Sequence, residues 1–204
     1  VHLPEIKHEE TEEDRIKDTR IMKLFKHHPM FVFGLFSLLA YEIAEISINS
    51  YFINFVTGQG WMDDNAASMV LTVALGFFMV GRFLGSWIMR RIPAERMLMY
   101  CSLGSVSCLG VVLLDIGHWS MYALIANYLF EAIMFPTIFS LSLQGLGNLT
   151  KSASSLLMMT PIGGCFFLLM GYVADQTNLV VPFLIPFIGY FIVLLYASEL
   201  SRKS

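Results

Sequence analysis

The sequence predicts an all-α integral membrane fold of six transmembrane helices, and three observations carry that prediction. Six apolar stretches of about 20 residues or more lie between Met30 and Ser198, and a hydrocarbon core of about 30 Å needs about 20 apolar residues per helix. The 204-residue chain is 56% hydrophobic and 14% charged with a mean hydropathy of +0.64, extremes for a chain that must shield its apolar residues from water. Every Lys and Arg except Arg82 falls in the tails or in every second connection. Lys and Arg near span ends stay cytoplasmic, so both termini and the connections holding Arg90, Arg91, Arg96 and Lys151 are expected inside. Gly58 to Asn65, the region of His118, and Asp175 to Asn178 are expected on the opposite side. The chain therefore reads as a multi-pass protein of the plasma (inner) membrane. A barrel would show alternating segments of about 10 residues, whereas these runs are longer and nearly continuously apolar.

Residues 1–28 come first, polar and mixed in charge, with Glu9, Glu10, Glu12, Glu13 and Asp14 close together. They lack the basic-then-apolar order of a signal peptide and read as a cytoplasmic linker to the bundle of residues 29–204. Glu12 to Phe25 places Ile16, Ile21, Leu24 and Phe25 loosely on one side, but a solvated connector is favoured over an interfacial helix. A chain that opens on Val1 and a long linker is expected to be a piece of something larger.

The first span, Met30 to Val56, holds Glu42, Glu45 and Asn49. At 100° per residue these three fall within about 60° of one another and form one polar stripe on an otherwise apolar helix. The second, Ala66 to Met89, carries Arg82 between Gly81 and Gly85, a small-xxx-small pair that lets another helix approach closely. The third, Met97 to Ile116, contains Cys101 and Cys108. With Cys165 they make an odd number without metal-ligand spacing and read as packing residues. The fourth, Trp119 to Leu143, sets Asn127 and Glu131 one turn apart ahead of Phe135 and the helix breaker Pro136. The fifth, Ser155 to Val173, is interrupted by Pro161, Gly163, Gly164 and Gly171, and the sixth, Leu179 to Ser198, by Pro182 and Pro186. Such residues are tolerated where neighbours satisfy the freed backbone.

Three ionised glutamates facing lipid would cost roughly 8–10 kcal/mol, comparable to the stability of a whole domain. Protonation, water or a polar ligand must relieve that cost. Hydrogen bonding across helices explains Asn127 by itself, but it gains nothing from a titratable group, so Glu45 and Glu131 point to a functional lining, with Glu42 evenly balanced. Other classes lack their signatures. The basic residues follow topology and leave no nucleic-acid footprint. His27 and His28 have no metal partners, no cofactor motif appears, and neither Gly-x-Ser-x-Gly nor His-Glu-x-x-His supplies an enzyme's nucleophile or base. The paired Asn-Pro-Ala signature of a water channel is also missing. The sequon at Asn148 lies on the expected cytoplasmic side.

Phe135-Pro136-Thr137-Ile138-Phe139-Ser140-Leu141, then Gly145-Leu146-Gly147, Thr150-Lys151, Ser154-Ser155, Gly163-Gly164 and Met170-Gly171-Tyr172-Val173-Ala174-Asp175 form an ordered series. It resembles the fucose and glucose/galactose permease branch of the major facilitator superfamily, over essentially the whole chain and as the second half only. Tyr41-x-x-Ala44-Glu45-x-Ser47-Ile48 is similar to the first helix of that half, and Gly81-Arg82-Phe83-x-Gly85 with Arg91 and Pro93 resembles the superfamily's cytoplasmic loop motif. The resemblance implies a twelve-helix permease of two six-helix halves, each a 3+3 repeat. Its expected mechanism is alternating access around a midplane site, with a hexose or deoxyhexose coupled to a proton or another cation. The expected partners are then the sugar, the coupling ion, the N-terminal six-helix half and the bilayer. Glu42, Glu45, Asn49, Asn127, Glu131 and Phe135 are the lining available to a sugar's hydroxyls and apolar face, with Gly81, Arg82, Gly85 and Arg91 at a cytoplasmic gate. The family's coupling carboxylate lies in the other half, so that role is given to no residue here.

Two departures stand out. The family usually has an uncharged residue at the position of Glu131, and one more residue between Gly163-Gly164 and Met170-Gly171. Losing a residue rotates the rest of a helix by about 100° and shortens it by about 1.5 Å, so the distal fifth span is expected to pack unusually. The rival reading is a non-transporting six-helix module that acts as a structural partner.

Overall fold

A computed structural model describes residues 22 and 24–203. Most of the linker expected at residues 1–28 lies outside the described residues, as does most of Glu12 to Phe25; where it is described, 24–27 are helical and Leu24 is fully buried rather than solvated. Six helices are long and apolar enough to cross a membrane: α1 (Pro29–Gly58), α2 (Asp64–Ile88), α3 (Ala94–Leu113), α4 (His118–Ser142), α5 (Gly147–Gln176) and α6 (Val181–Arg202). No strand occurs among the described residues. Local chemistry fixes several ends. Pro29 starts α1, where its missing N–H costs nothing, and Gly60 just beyond that helix takes a φ of +72° that a side chain would resist.

Helix α1 is the axis of the bundle. It packs on α6, on the second part of α4 and on the middle of α5, while α3 bridges α4 and α6. Its buried face carries Tyr41, Ala44, Ile48, Tyr51, Phe52 and Phe55. Close approach to α6 depends on Gly189, where an added Cβ would stand 2.7 Å from the Ala40 carbonyl oxygen. By contrast α2 leans on α4 and buries only Ala67, Ala74, Gly81 and Gly85, spaced by seven and four residues. Most of its remaining surface, including Met69, Val73, Phe77, Phe83 and Trp87, is apolar and exposed, as suits a helix whose solvent is lipid and whose packing relies on small residues.

Two spans are discontinuous. In α4 the helix stops at Glu131 and restarts at Met134. Proline has no N–H for the carbonyl four residues back, so Pro136 frees the Ala132 carbonyl, and the break falls there rather than at the proline itself. In α5, α-helix at Thr150–Leu157 gives way to a 3-10 helix over Thr160–Phe166, and α-helix resumes at Phe167–Gln176. A 3-10 helix rises about 2.0 Å and turns about 120° per residue, against about 1.5 Å and 100° in an α-helix. Seven such residues lengthen and overwind the span. Gly163 and Gly164 sit in this stretch, where added Cβ atoms would lie 2.9 Å from Leu39 Cδ1 and 2.5 Å from Ile46 Cδ1 of α1.

Candidate functional site

The break in α4 organises a polar cluster drawn from four helices. Arg82 of α2 donates from Nε to the Ala132 carbonyl oxygen at 3.1 Å, and Tyr41 of α1 donates its hydroxyl to the Glu131 carbonyl oxygen at 3.0 Å. Backbone acceptors opened inside a membrane span are thus satisfied by side chains of neighbouring helices, as hydrocarbon requires. Close packing makes this reach possible. An added Cβ at Gly81 would lie 2.8 Å from the Leu129 carbonyl oxygen, and one at Gly85 would lie 2.1 Å from Ile133 Cγ2. The glycine pair therefore seats α2 directly on the break.

The Glu131 side chain is fully buried. Its Oε2 accepts from Asn127 Nδ2 at 2.8 Å, one turn back along α4, and from the Tyr190 hydroxyl of α6. Asn127 Nδ2 also reaches the Tyr190 hydroxyl at 3.5 Å. Among the described residues, Glu131 Oε1, Asn127 Oδ1 and the Tyr128 hydroxyl have no hydrogen-bond partner. Glu45 is half-buried beside Tyr41, close enough to feel the charges of Arg82 and Glu131. Glu42 is buried and within electrostatic reach of Glu45. Phe135 is half-buried, its ring tilted against Tyr41 with 6.4 Å between centroids.

The residues singled out from the sequence therefore separate into groups. Glu45, Asn127, Glu131 and Phe135 come together around Tyr41, with Glu42 adjoining through Glu45. Asn49 stands further along α1, half-buried with an unpartnered Oδ1. Arg82, an exposed residue, reaches the middle of α4 with its Nε, its guanidinium also 4.8 Å from the Phe78 ring centroid, while Arg91 lies over Trp87 at 5.6 Å. Pro136 and the Gly163-Gly164 pair mark the two discontinuities. Sequence reasoning missed Tyr190 and the hydrogen bond from Tyr41. The available signal was a tyrosine hydroxyl at mid-span, since a buried hydroxyl usually finds a partner.

The profile of the Major Facilitator Superfamily matches residues 2–168. A putative glucose/galactose transporter of Helicobacter pylori is 32% identical over 196 residues, covering 93% of this chain and 48% of its own length. A glucose/galactose transporter of Brucella abortus is 36% identical over 176 residues, 84% of this chain and 42% of that one. The fold superposes on the crystal structure of the Escherichia coli fucose:proton symporter, FucP, with a TM-score of 0.85 and 28% identity, covering 89% of this chain and 45% of that chain. The chain spans about half the length of the relatives it matches.

Proposed function

From the premise that this chain belongs to the Major Facilitator Superfamily, we propose that it forms the second six-helix half of a secondary transporter. Its substrate in this reading is a hexose or deoxyhexose, such as glucose, galactose or fucose, moved together with a proton. The observation that carries the reading is the superposition on the fucose:proton symporter, a likeness in sequence as well as in fold. The carboxylate cluster supports it, because three glutamates in one half-bundle are costly for packing alone and gain their use by exchanging charge.

In the proposed cycle the bundle rocks against an N-terminal half around a midplane sugar site. Glu45, half-buried beside Arg82, is the carboxylate nearer the path, with Phe135 and Asn49 offering an apolar face and an amide. Glu131, behind it, is a titratable group that links sugar affinity to pH, the coupling proton itself being carried by the other half, while Tyr190 and Asn127 hold its orientation. Arg82 and Tyr41 pin the two carbonyls at the α4 break, so movement of α2 or α1 is transmitted to Glu131 through its own backbone.

Uptake of labelled glucose, galactose and fucose into proteoliposomes holding the full-length transporter, both halves together, tests this, with and without an inward proton gradient. The expected result is gradient-driven accumulation of one or more of these sugars. Glu45→Gln and Glu131→Gln should slow driven uptake by about tenfold or more and flatten its dependence on pH. Uptake driven by sodium instead would replace the proton with the other cation, and variants that behave like the parent would sink the assignment of the carboxylates. A protein that moves no sugar would favour the non-transporting module.

A further inference from the structure

A second polar site lies between the outer parts of α1 and α5, sharing no residue with the carboxylate cluster. It is a cleft of about 390 Å³ with an apolar floor, to which α1 contributes Ser50, Tyr51 and Asn54 and α5 contributes Phe167, Leu168, Gly171, Tyr172 and Asp175. Both helices end there at connections free of Lys and Arg, which the charge alternation places on the outer side. Tyr51 is only 5% exposed, yet its hydroxyl has no hydrogen-bond partner among the described residues. The Asp175 carboxylate lies within electrostatic reach of it. Tyr172 is exposed and presents an aromatic ring on the same wall.

We propose that this cleft is an outer subsite that captures the sugar before it reaches the midplane. Chemical match carries the assignment, which rests on the sugar-transport reading above. A hexose ring offers a row of hydroxyls, each both donor and acceptor, and an apolar face of C–H groups. Asp175 accepts from two neighbouring hydroxyls, the Tyr51 hydroxyl donates to a ring or hydroxyl oxygen, and the Asn54 amide and Ser50 hydroxyl do either. Tyr172 takes the apolar face. The volume falls in the range of small-molecule sites, which combine apolar walls with a few placed polar groups. Gly171 keeps the cleft open, because a Cβ added there would meet nothing within 4 Å.

That open space supplies the test. Gly171→Val adds bulk at a cleft position where the Cβ itself meets nothing within 4 Å, and Asp175→Asn removes the charged acceptor. Gly110→Val is the control, since Gly110 also has nothing within 4 Å of an added Cβ and lies on α3, outside the cleft. Concentration-dependent uptake of labelled glucose, galactose and fucose is measured in proteoliposomes holding the full-length transporter, with equilibrium binding of the same sugars to that purified full-length protein. Both cleft variants should raise the KM and the dissociation constant about tenfold, with the maximal rate kept within about twofold. Gly110→Val should match the parent. An unchanged KM in both cleft variants, or a lower maximal rate at unchanged KM, overturns the subsite while leaving sugar transport standing. A parent that neither binds nor moves these sugars overturns both.

Discussion

Glu131 holds one carboxylate oxygen between donors from two helices, Asn127 of α4 and Tyr190 of α6, and leaves the other without a partner. Removing a donor from a buried acid leaves an acceptor poorly satisfied, which costs about 1–3 kcal/mol. Tyr190→Phe should therefore lower the melting temperature in detergent by several degrees. Glu131→Gln keeps an oxygen for both donors and removes only the exchangeable charge, so it should melt near the parent while losing the pH dependence of uptake. The acid was legible in the sequence because a charge in an apolar run is costly wherever it points. Tyr190, 59 residues away, was not, because a tyrosine's apolar ring hides the hydroxyl among aromatic packing residues.

The α4 break depends on a proline and an arginine from different helices. Pro136 cannot donate to the Ala132 carbonyl, and Arg82 Nε does so instead. Arg82→Met leaves an unpaired carbonyl at mid-span and should cost about 1–3 kcal/mol in a thermal melt. Pro136→Ala restores the missing backbone N–H, so the double variant Arg82→Met/Pro136→Ala should regain most of that loss. Strict additivity of the two single effects would argue against the coupling. Both residues were visible as exceptions, one charged residue in an apolar span and one helix breaker in another. Their pairing was not visible, since it needs the rotation of α2 that brings Gly81 and Gly85 onto α4. In α5 the interruption was foreseen from Pro161 and the glycines, but its 3-10 form was not, because local composition says little about helical pitch.

Across the whole molecule the charge alternation makes a topological prediction. Cysteines placed at Asp115 and Asn178 should react with an impermeant maleimide on intact cells, and cysteines at Arg90 and Lys151 only after permeabilisation. The reverse pattern would invert the molecule and move the α1–α5 cleft to the cytoplasmic side. By itself, the sequence determined that the chain crosses the membrane six times as helices and roughly where each crossing begins and ends. Hydrocarbon leaves a backbone no other way to satisfy its polar groups, and spans of this length and charge pattern favour one arrangement of inside and outside. The sequence also determined that Glu42, Glu45 and Glu131 need partners. Which partners they have was decided only by the tertiary structure, since depth in the membrane follows from position along a helix, whereas contact follows from how each helix is rotated against its neighbours. That rotation is set by where small residues allow two helices to meet, at Gly81 and Gly85 of α2 against α4 and at Gly163 of α5 and Gly189 of α6 against α1.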